Sequence, residues 1–286
     1  MDEHAPGHSP PRRGPLRLKV IACEVLARQV YQRAAISPHV LDVELLEKRL
    51  HEDAASLRAE LQRRIDATPI PPYDAIVLVY GLCNRATEGL VARAAPLAIA
   101  RAHDCITLYL GSRERYAAQF QDHPGTYYYS AEYLERGKDG RPVGVDTQPA
   151  ADEGMAFGSR MPAKYEELVR KYGEDNARYL AEVYGSWHQH YDRAAFIRLP
   201  CARCPVSETE DACAHATPFR ERAVSMAARH GWEFAELPGS LGLLHQLLDG
   251  EWTPDSPERD DVLVVPPGLA IQATFDERVV TAAPPG

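Results

Sequence analysis

Short apolar runs alternate with amphipathic stretches along the chain, a pattern typical of proteins in which strands alternate with helices. The apolar runs predict strands at residues 16–22, 39–45, 73–80, 97–101, 194–199, 233–237 and 261–265. Helical spacing of apolar residues predicts helices at 25–35, 47–65, 87–95, 103–121, 162–184, 218–231 and 239–250. The alternation indicates the α/β class, with a single doubly wound, mostly parallel sheet and helices on both faces.

The pattern also divides the chain into regions. Residues 1–15 hold four prolines and no apolar periodicity, which predicts a disordered arm. Residues 16–279 are expected to form a single domain, and residues 280–286 a flexible tail. Within the domain, regularity fails at an irregular insertion at about 122–161 and in a cysteine-rich loop at 201–215.

Composition narrows the class of protein and of partner. The chain has 286 residues, of which 45% are hydrophobic and 26% charged, as in ordinary globular proteins. A formal net charge of −9 gives no basic footprint, so we expect neither nucleic acid nor an anionic membrane as a partner. No apolar run approaches the ~20 residues that span a bilayer, and the N-terminus lacks the order of a signal peptide. We therefore expect a cytoplasmic protein.

Three of the six cysteines stand where predicted strands end. Cys23 follows the first strand, Cys83 follows the third, and Cys105 begins the helix after the fourth. In an open parallel sheet ligands bind outside the carboxyl ends of the strands, so these thiols are expected to converge on one crevice. Each also stands near the N-terminus of a predicted helix, whose dipole favours the thiolate form.

Three thiolates suit a metal site with one free position. They leave the fourth position open on a tetrahedral zinc ion, or one bare iron on a cubane iron–sulfur cluster, and the sequence does not decide between these cofactors. A different interpretation stays open: free cysteines are small hydrophobes that commonly pack in a core.

Residues around the cysteines extend the predicted site. Glu24, His103 and Asp104 adjoin the cysteines or each other and are candidates for acid–base chemistry or for orienting ligands, although helix capping explains them equally well. Arg85 and Arg101 are candidates for binding an anionic group of a small-molecule substrate, with a solvated or ion-paired arginine as the alternative.

Aromatic residues and a second group of cysteines are further candidates. Tyr127 and Tyr128 are placed to stack on a planar substrate, unless they serve packing alone. The spacing of Cys201, Cys204, Cys213 and His215 fits a second, structural metal site, with unpaired thiols as the alternative. Cys201 is also a candidate fourth ligand of the main site. Dinucleotide, P-loop and nucleophile-elbow motifs are absent from the sequence.

Several of these segments together resemble a known family, the domain of unknown function 1638 family of bacteria and archaea. The resemblance covers roughly residues 16–279, and its most specific part is the His-Asp-Cys element at 103–105. The segments that carry it are 23–24, 81–83, 101–105, 110–116, 124–128, 250–252 and 264–268. The resemblance implies a gene neighbourhood that often includes corrinoid-dependent methyltransferases, and hence a role in one-carbon metabolism. This is an association and not a mechanism.

Residues and resemblance together predict a cytosolic metal-thiolate protein and suggest a metal-dependent transferase that acts on a small thiol or methyl donor. The alternative is a non-catalytic binding or accessory protein of a corrinoid protein or methyltransferase. In a third interpretation the cysteines merely pack the core.

Overall fold

A computed structural model of the chain describes residues 14–136, 165–185, 187–200, 215–250, 252 and 261–286. Its strands are β1 (Arg17–Cys23), β2 (Val40–Leu46), β3 (Ala75–Val79), β4 (Leu97–Ala100), β5 (Thr126–Tyr129), β6 (Arg193–Arg198), β7 (Glu233–Pro238), β8 (Val262–Val265), β9 (Ala270–Ala273) and β10 (Val280–Ala283). Its α-helices are α1 (Ala27–Ala34), α2 (Ala54–Ala67), α3 (Cys105–Leu110), α4 (Arg113–Asp122), α5 (Ala131–Leu134), α6 (Tyr165–Tyr172), α7 (Glu174–Gly185), α8 (Thr217–His230) and α9 (Gly242–Leu248). The α/β class is confirmed.

The central sheet has five strands in the order β2-β1-β3-β4-β8. The first four are parallel, whereas β8 runs antiparallel to β4. All residues of β3 and β4 are buried, which explains why both read as unbroken apolar runs in the sequence. Because β1, β3 and β4 are neighbours, their carboxyl ends lie side by side at one edge.

The strands do not all join this sheet. In the described residues β5, β6 and β7 form a separate parallel sheet, and β9 pairs with β10, so the expectation of a single sheet is wrong. The second sheet has a hydrophobic core of its own that includes Tyr127, Phe196 and Trp232. Its other face contributes Tyr128 and Ile197 to the main core. The tyrosine-rich β5 lies inside the insertion expected at 122–161, of which residues 137–164 are outside the described residues.

Several predicted helices are shorter or divided. The helix predicted at 103–121 breaks at Gly111, whose φ of 80° favours glycine, and α4 restarts behind Ser112. The helix predicted at 47–65 begins as a 3-10 turn, and α2 proper starts behind its cap, Asp53. The helix predicted at 87–95 is wrong, since residues 87–89 lie in a turn and Val91 makes an isolated β-bridge to Ala270. No helix in the described ranges is long and apolar enough to cross a membrane.

The segment expected to be a flexible tail contributes to the core. Val280–Ala283 form β10, and the side chain of Val280 is fully buried. The guanidinium of Arg101, which follows β4, donates to the carbonyl of Val280. A run of four residues among prolines and polar groups carries too little periodicity to reveal such a strand.

Removing residues 280–286 tests this packing. Exposing the Val280 site is expected to lower the free energy of unfolding by about 2 kcal/mol, because a buried valine contributes roughly that much. Removing only 284–286, which are exposed, is the matched control and is expected to change nothing. Urea unfolding measures both, and equal stability of the two truncated proteins contradicts the prediction.

Candidate functional site

The structure places the three predicted cysteines around one edge of the central sheet. Cys23 is the last residue of β1, Cys83 lies in the loop after β3, and Cys105 is the first residue of α3. The first two are buried and Cys105 is partly exposed. The thiols are near enough that the charges of Cys83 and Cys23 contribute to raising the pKa of Cys105. The three-cysteine crevice, meaning Cys23, Cys83 and Cys105, is the candidate site.

A left-handed turn holds Cys83. Cys83, Asn84 and Arg85 have φ values of 47°, 55° and 62°, a conformation that costs a residue with a side chain about 1–2 kcal/mol each. The amide of Ala86 closes the turn by donating to the carbonyl of Cys83 at 3.0 Å. Such conformations persist only where the surroundings impose them, and they concentrate at functional sites.

Backbone hydrogen bonds from the neighbouring loop fix this turn. Leu82 N donates to Ala102 O at 2.7 Å, and Cys83 N donates to His103 O at 2.8 Å. Gly81 permits this approach, because a Cβ there would lie 2.6 Å from Asp104 N and 2.7 Å from Ala102 O. We call this pairing of residues 81–83 with 102–104 the loop clamp. It sets the position of Cys83 relative to Cys105.

The thiols are neutral in this environment. Burial raises the pKa of Cys23 to about 12 and raises the pKa of Cys83 and Cys105 as well. The expectation that helix dipoles favour the thiolates is therefore wrong for the free protein. The helix after Cys23 starts as a 3-10 turn, Glu24–Leu26, and α3 has six residues, so desolvation outweighs their small dipoles.

Tyr80 is a member of this crevice that the sequence did not reveal. Its side chain is buried, and its hydroxyl has no hydrogen-bond partner among the described residues. Burial raises its pKa, and nearby Cys23 and Cys83 raise it further. The ring stacks on His51 with centroids 5.8 Å apart. Tyr80 directly follows β3 and precedes Gly81, so strand-end position was the available signal.

Asp104 acts as a helix cap. Its Oδ1 accepts from Ile106 N at 3.0 Å and from Thr107 N at 3.2 Å, which is the capping alternative considered above. Burial nevertheless raises the pKa of Asp104 to about 6, so the group exchanges a proton near neutral pH. The exposed ring of His103 stacks on Tyr116, with centroids 5.4 Å apart. Their acid–base roles stay predictions.

Glu24 has structural partners on both oxygens. Oε1 accepts from Lys48 N at 2.9 Å, and Oε2 lies 3.4 Å from Arg136 Nη1. The buried carboxylate thus connects the 3-10 turn that follows β1 to Lys48 and to Arg136. This arrangement favours an orienting role near Cys23 over proton transfer.

The two candidate anion-binding arginines also have intramolecular partners. Arg85 makes a two-bond ion pair with Glu88, at 2.7 and 2.8 Å. Arg101 donates to the carbonyls of Arg278 and Val280. Substrate binding by either side chain stays a prediction.

The two candidate tyrosines point to opposite faces of β5. Tyr127 lies in the second core, with its ring 5.5 Å from that of Trp232. Tyr128 faces the main core, where burial raises its pKa and Asp104 contributes to the shift. Only Tyr128 is therefore near the crevice, because neighbouring residues of a strand alternate between faces.

The proposed second metal site falls mostly outside the described residues, which omit Cys201, Cys204 and Cys213. His215 is described, and its Nε2 lies 3.5 Å from Glu135 Oε2. Across the described ranges, no group of three or more His, Cys, Asp or Glu side chains is arranged to hold a metal ion. This includes the three-cysteine crevice as it stands.

Comparison with known proteins gives a family. The family model described as "Protein of unknown function (DUF1638)" matches residues 45–248. The chain belongs to the DUF1638 family. The match includes Cys83, Cys105 and the whole loop clamp, while Cys23 lies before it. No curated protein and no solved structure matches the chain.

The loop clamp predicts that position 81 does not tolerate a side chain. Replacing Gly81 by Ala is expected to lower the free energy of unfolding by about 1–3 kcal/mol, because the added Cβ forces two backbones apart. Gly242→Ala is the control, since a Cβ there meets nothing closer than 3.5 Å. Denaturant unfolding compares them, and equal stability of both variants contradicts the clamp.

The raised pKa of Asp104 predicts that the stability of the metal-free protein depends on pH. Its pKa is raised above the unfolded value, so its contribution to stability is full below about pH 4 and is lost as pH rises through about 6. Asn caps a helix as well as Asp. We expect Asp104→Asn to be more stable than the parent at pH 7, by on the order of 2 kcal/mol, and no more stable at pH 4. Unfolding at both pH values tests this, and a constant difference refutes it.

Proposed function

We propose that Cys23, Cys83 and Cys105 form a soft-metal site that holds one zinc ion or one cubane iron–sulfur cluster. The observation that carries this proposal is the convergence of three thiols on one crevice from three adjacent strand ends. Thiolates are the ligands that these metals prefer. The strained turn at Cys83 supports a functional assignment, since such backbone conformations concentrate at functional sites.

The electrostatics of the crevice support the binding of a cation there. Burial keeps the thiols neutral, and a negative charge on one thiol raises the pKa of the others. A bound divalent cation reverses that balance and makes deprotonation favourable, so binding is coupled to proton release.

Binding requires movement of side chains, because the crevice is not arranged around a metal in the described structure. Of the three cysteines, Cys105 is the residue that is partly exposed, which makes it the nearest of the three to incoming metal or substrate. Because the loop clamp fixes the backbone of Cys83, we expect the movement to be a change of side-chain conformation.

The open position of a three-thiolate site supplies Lewis-acid activation of a bound group. We propose a small thiol or methyl donor as the substrate and a cytoplasmic setting in one-carbon metabolism, with a corrinoid protein or methyltransferase as partner. The resemblance noted in the sequence supports this assignment by association. Asp104, which precedes Cys105, and Tyr128, whose pKa Asp104 helps to raise, would orient that substrate.

One alternative has an observation behind it. The same burial and raised pKa values are what cysteines that only pack a core would show. Metal content separates this alternative from the proposal. Turnover of a methyl donor then separates an enzyme from a non-catalytic accessory protein.

Anaerobic purification followed by elemental analysis and visible absorption tests the proposal. We expect about one zinc per chain without colour, or iron and sulfide with a charge-transfer band. Cys→Ser replacement at 23, 83 or 105 is expected to lower the metal content several-fold.

The matched control is the triple Cys→Ser variant at 201, 204 and 213, which is expected to keep this metal. Absence of metal from both aerobic and anaerobic preparations overturns the proposal. Metal that disappears only from the control variant overturns it too, since it would then belong to the cysteine-rich loop.

A further inference from the structure

Arg193, the first residue of β6, is a buried cation. It is 8% exposed, and it is the one lysine or arginine among the buried residues that the structure describes. Its Nη1 donates to Gln119 Oε1 on α4 at 3.2 Å. Its Nε is buried and has no hydrogen-bond partner. Within the described ranges, Arg193 makes no ion pair with a carboxylate.

The buried carboxyl groups of the protein reduce the cost of their burial in two ways. Glu24 and Glu135 pair with arginines. Burial raises the pKa of Asp104 to about 6 and that of Glu132 to about 7, so these groups can become neutral. An arginine side chain does not lose its proton in proteins, so only pairing is open to Arg193. A buried charge of this kind is expected to have a countercharge.

The register of the second sheet shows which residues surround Arg193. Thr126 on β5 and Glu233 on β7 lie opposite it, so the three side chains share one face of the sheet. This face packs on the main core through Ile197, four residues further along β6. Tyr128, two residues after Thr126, is the diagonal neighbour of Arg193. Burial raises the pKa of Tyr128, and the charge of Arg193 opposes that rise.

Two carboxylates are close to Arg193 in the chain or in the sheet, and neither neutralises it. Asp192 precedes it, but the Asp192 carboxylate lies beside Gly125, where an added Cβ would be 2.7 Å from Asp192 Oδ1. Glu233 is in register with Arg193, but it is exposed and makes no ion pair with it in the described structure. The face between β6 and α4 therefore presents a buried guanidinium with an unused N–H donor.

We propose that Arg193 binds the negatively charged oxygen group of a small-molecule ligand, a carboxylate or a phosphate, between the start of β6 and α4. A guanidinium recognises both groups, because its N–H donors match their oxygen atoms. Gln119 holds the guanidinium by Nη1, which leaves Nε as a donor to the ligand. The inference goes beyond the proposed function and does not depend on a metal in the three-cysteine crevice.

Thermal unfolding with added inorganic phosphate or acetate tests the inference, with sodium chloride at equal ionic strength as the reference. A ligand that binds only the folded protein stabilises it. We expect at least one of the two anions to raise the Tm of the parent by several degrees, and the one that acts identifies the chemical group. We expect Arg193→Met to lose this shift. Calorimetric titration should show an affinity at least about ten-fold weaker in the variant.

The stability of Arg193→Met without added anion gives a second readout. We expect the variant to be at least as stable as the parent there, because the substitution removes a buried charge that has no countercharge. If Arg193 serves only to hold α4 through Gln119, the variant is less stable than the parent in that buffer. That result overturns the inference, as does an equal response of the two proteins to phosphate and acetate, including no response.

Two further variants are controls. Arg198→Met, near the other end of β6, removes an arginine that lies 3.9 Å from Glu236, and we expect it to keep the anion-dependent shift. Glu233→Gln is also expected to keep the shift unchanged. A several-fold gain in anion affinity in Glu233→Gln would identify Glu233 as the countercharge in solution and would overturn the inference. None of these outcomes changes the metal content, so the proposed function is tested separately.

Discussion

Two backbone hydrogen bonds, from Leu82 and Cys83 to the carbonyls of Ala102 and His103, position the candidate site. They join the loops after β3 and β4 so closely that only glycine fits at position 81. The left-handed turn at Cys83, the capped start of α3 and the separation of two cysteines all depend on this contact. The pairing of β3 with β4 brings the two loops to one edge of the sheet. The loop clamp then sets the relative positions of their side chains.

The chemistry of the crevice is dominated by desolvation. Burial raises the pKa of the three thiols and of the Asp104 carboxyl, while Glu24, the residue after Cys23, has Arg136 as a cationic partner. The thiols and Asp104 are therefore neutral or close to their titration point. Such an environment favours uptake of a cation together with movement of protons within the protein.

The fold class and the cysteine convergence were predictable because they depend on patterns that act over a few residues. Apolar runs mark β1, β3 and β4, and parallel pairing then places Cys23, Cys83 and Cys105 at one edge. The separate sheet was not predictable in this way, since β5 is four aromatic and hydroxyl residues with no periodicity. The stacking of Tyr80 on His51 depends on tertiary contact between residues that are distant in sequence, although the place of Tyr80 at a strand end was a local signal. The dipole argument failed because it considered charge without the cost of burial.

The antiparallel pairing of β8 with β4 has a consequence for how the chain folds. Leu97 pairs with Val265 and Ala100 with Val262, so the strand that leads into α3 is covered by a segment far along the sequence. Contacts of such long range form slowly, because a large loop must close before they are made. During synthesis β4 would emerge as an open edge with unpaired backbone groups, exposed to association with other chains until the last strands arrive. The sheet edge next to the strand that leads into α3 is therefore completed only when β8 has been made and paired.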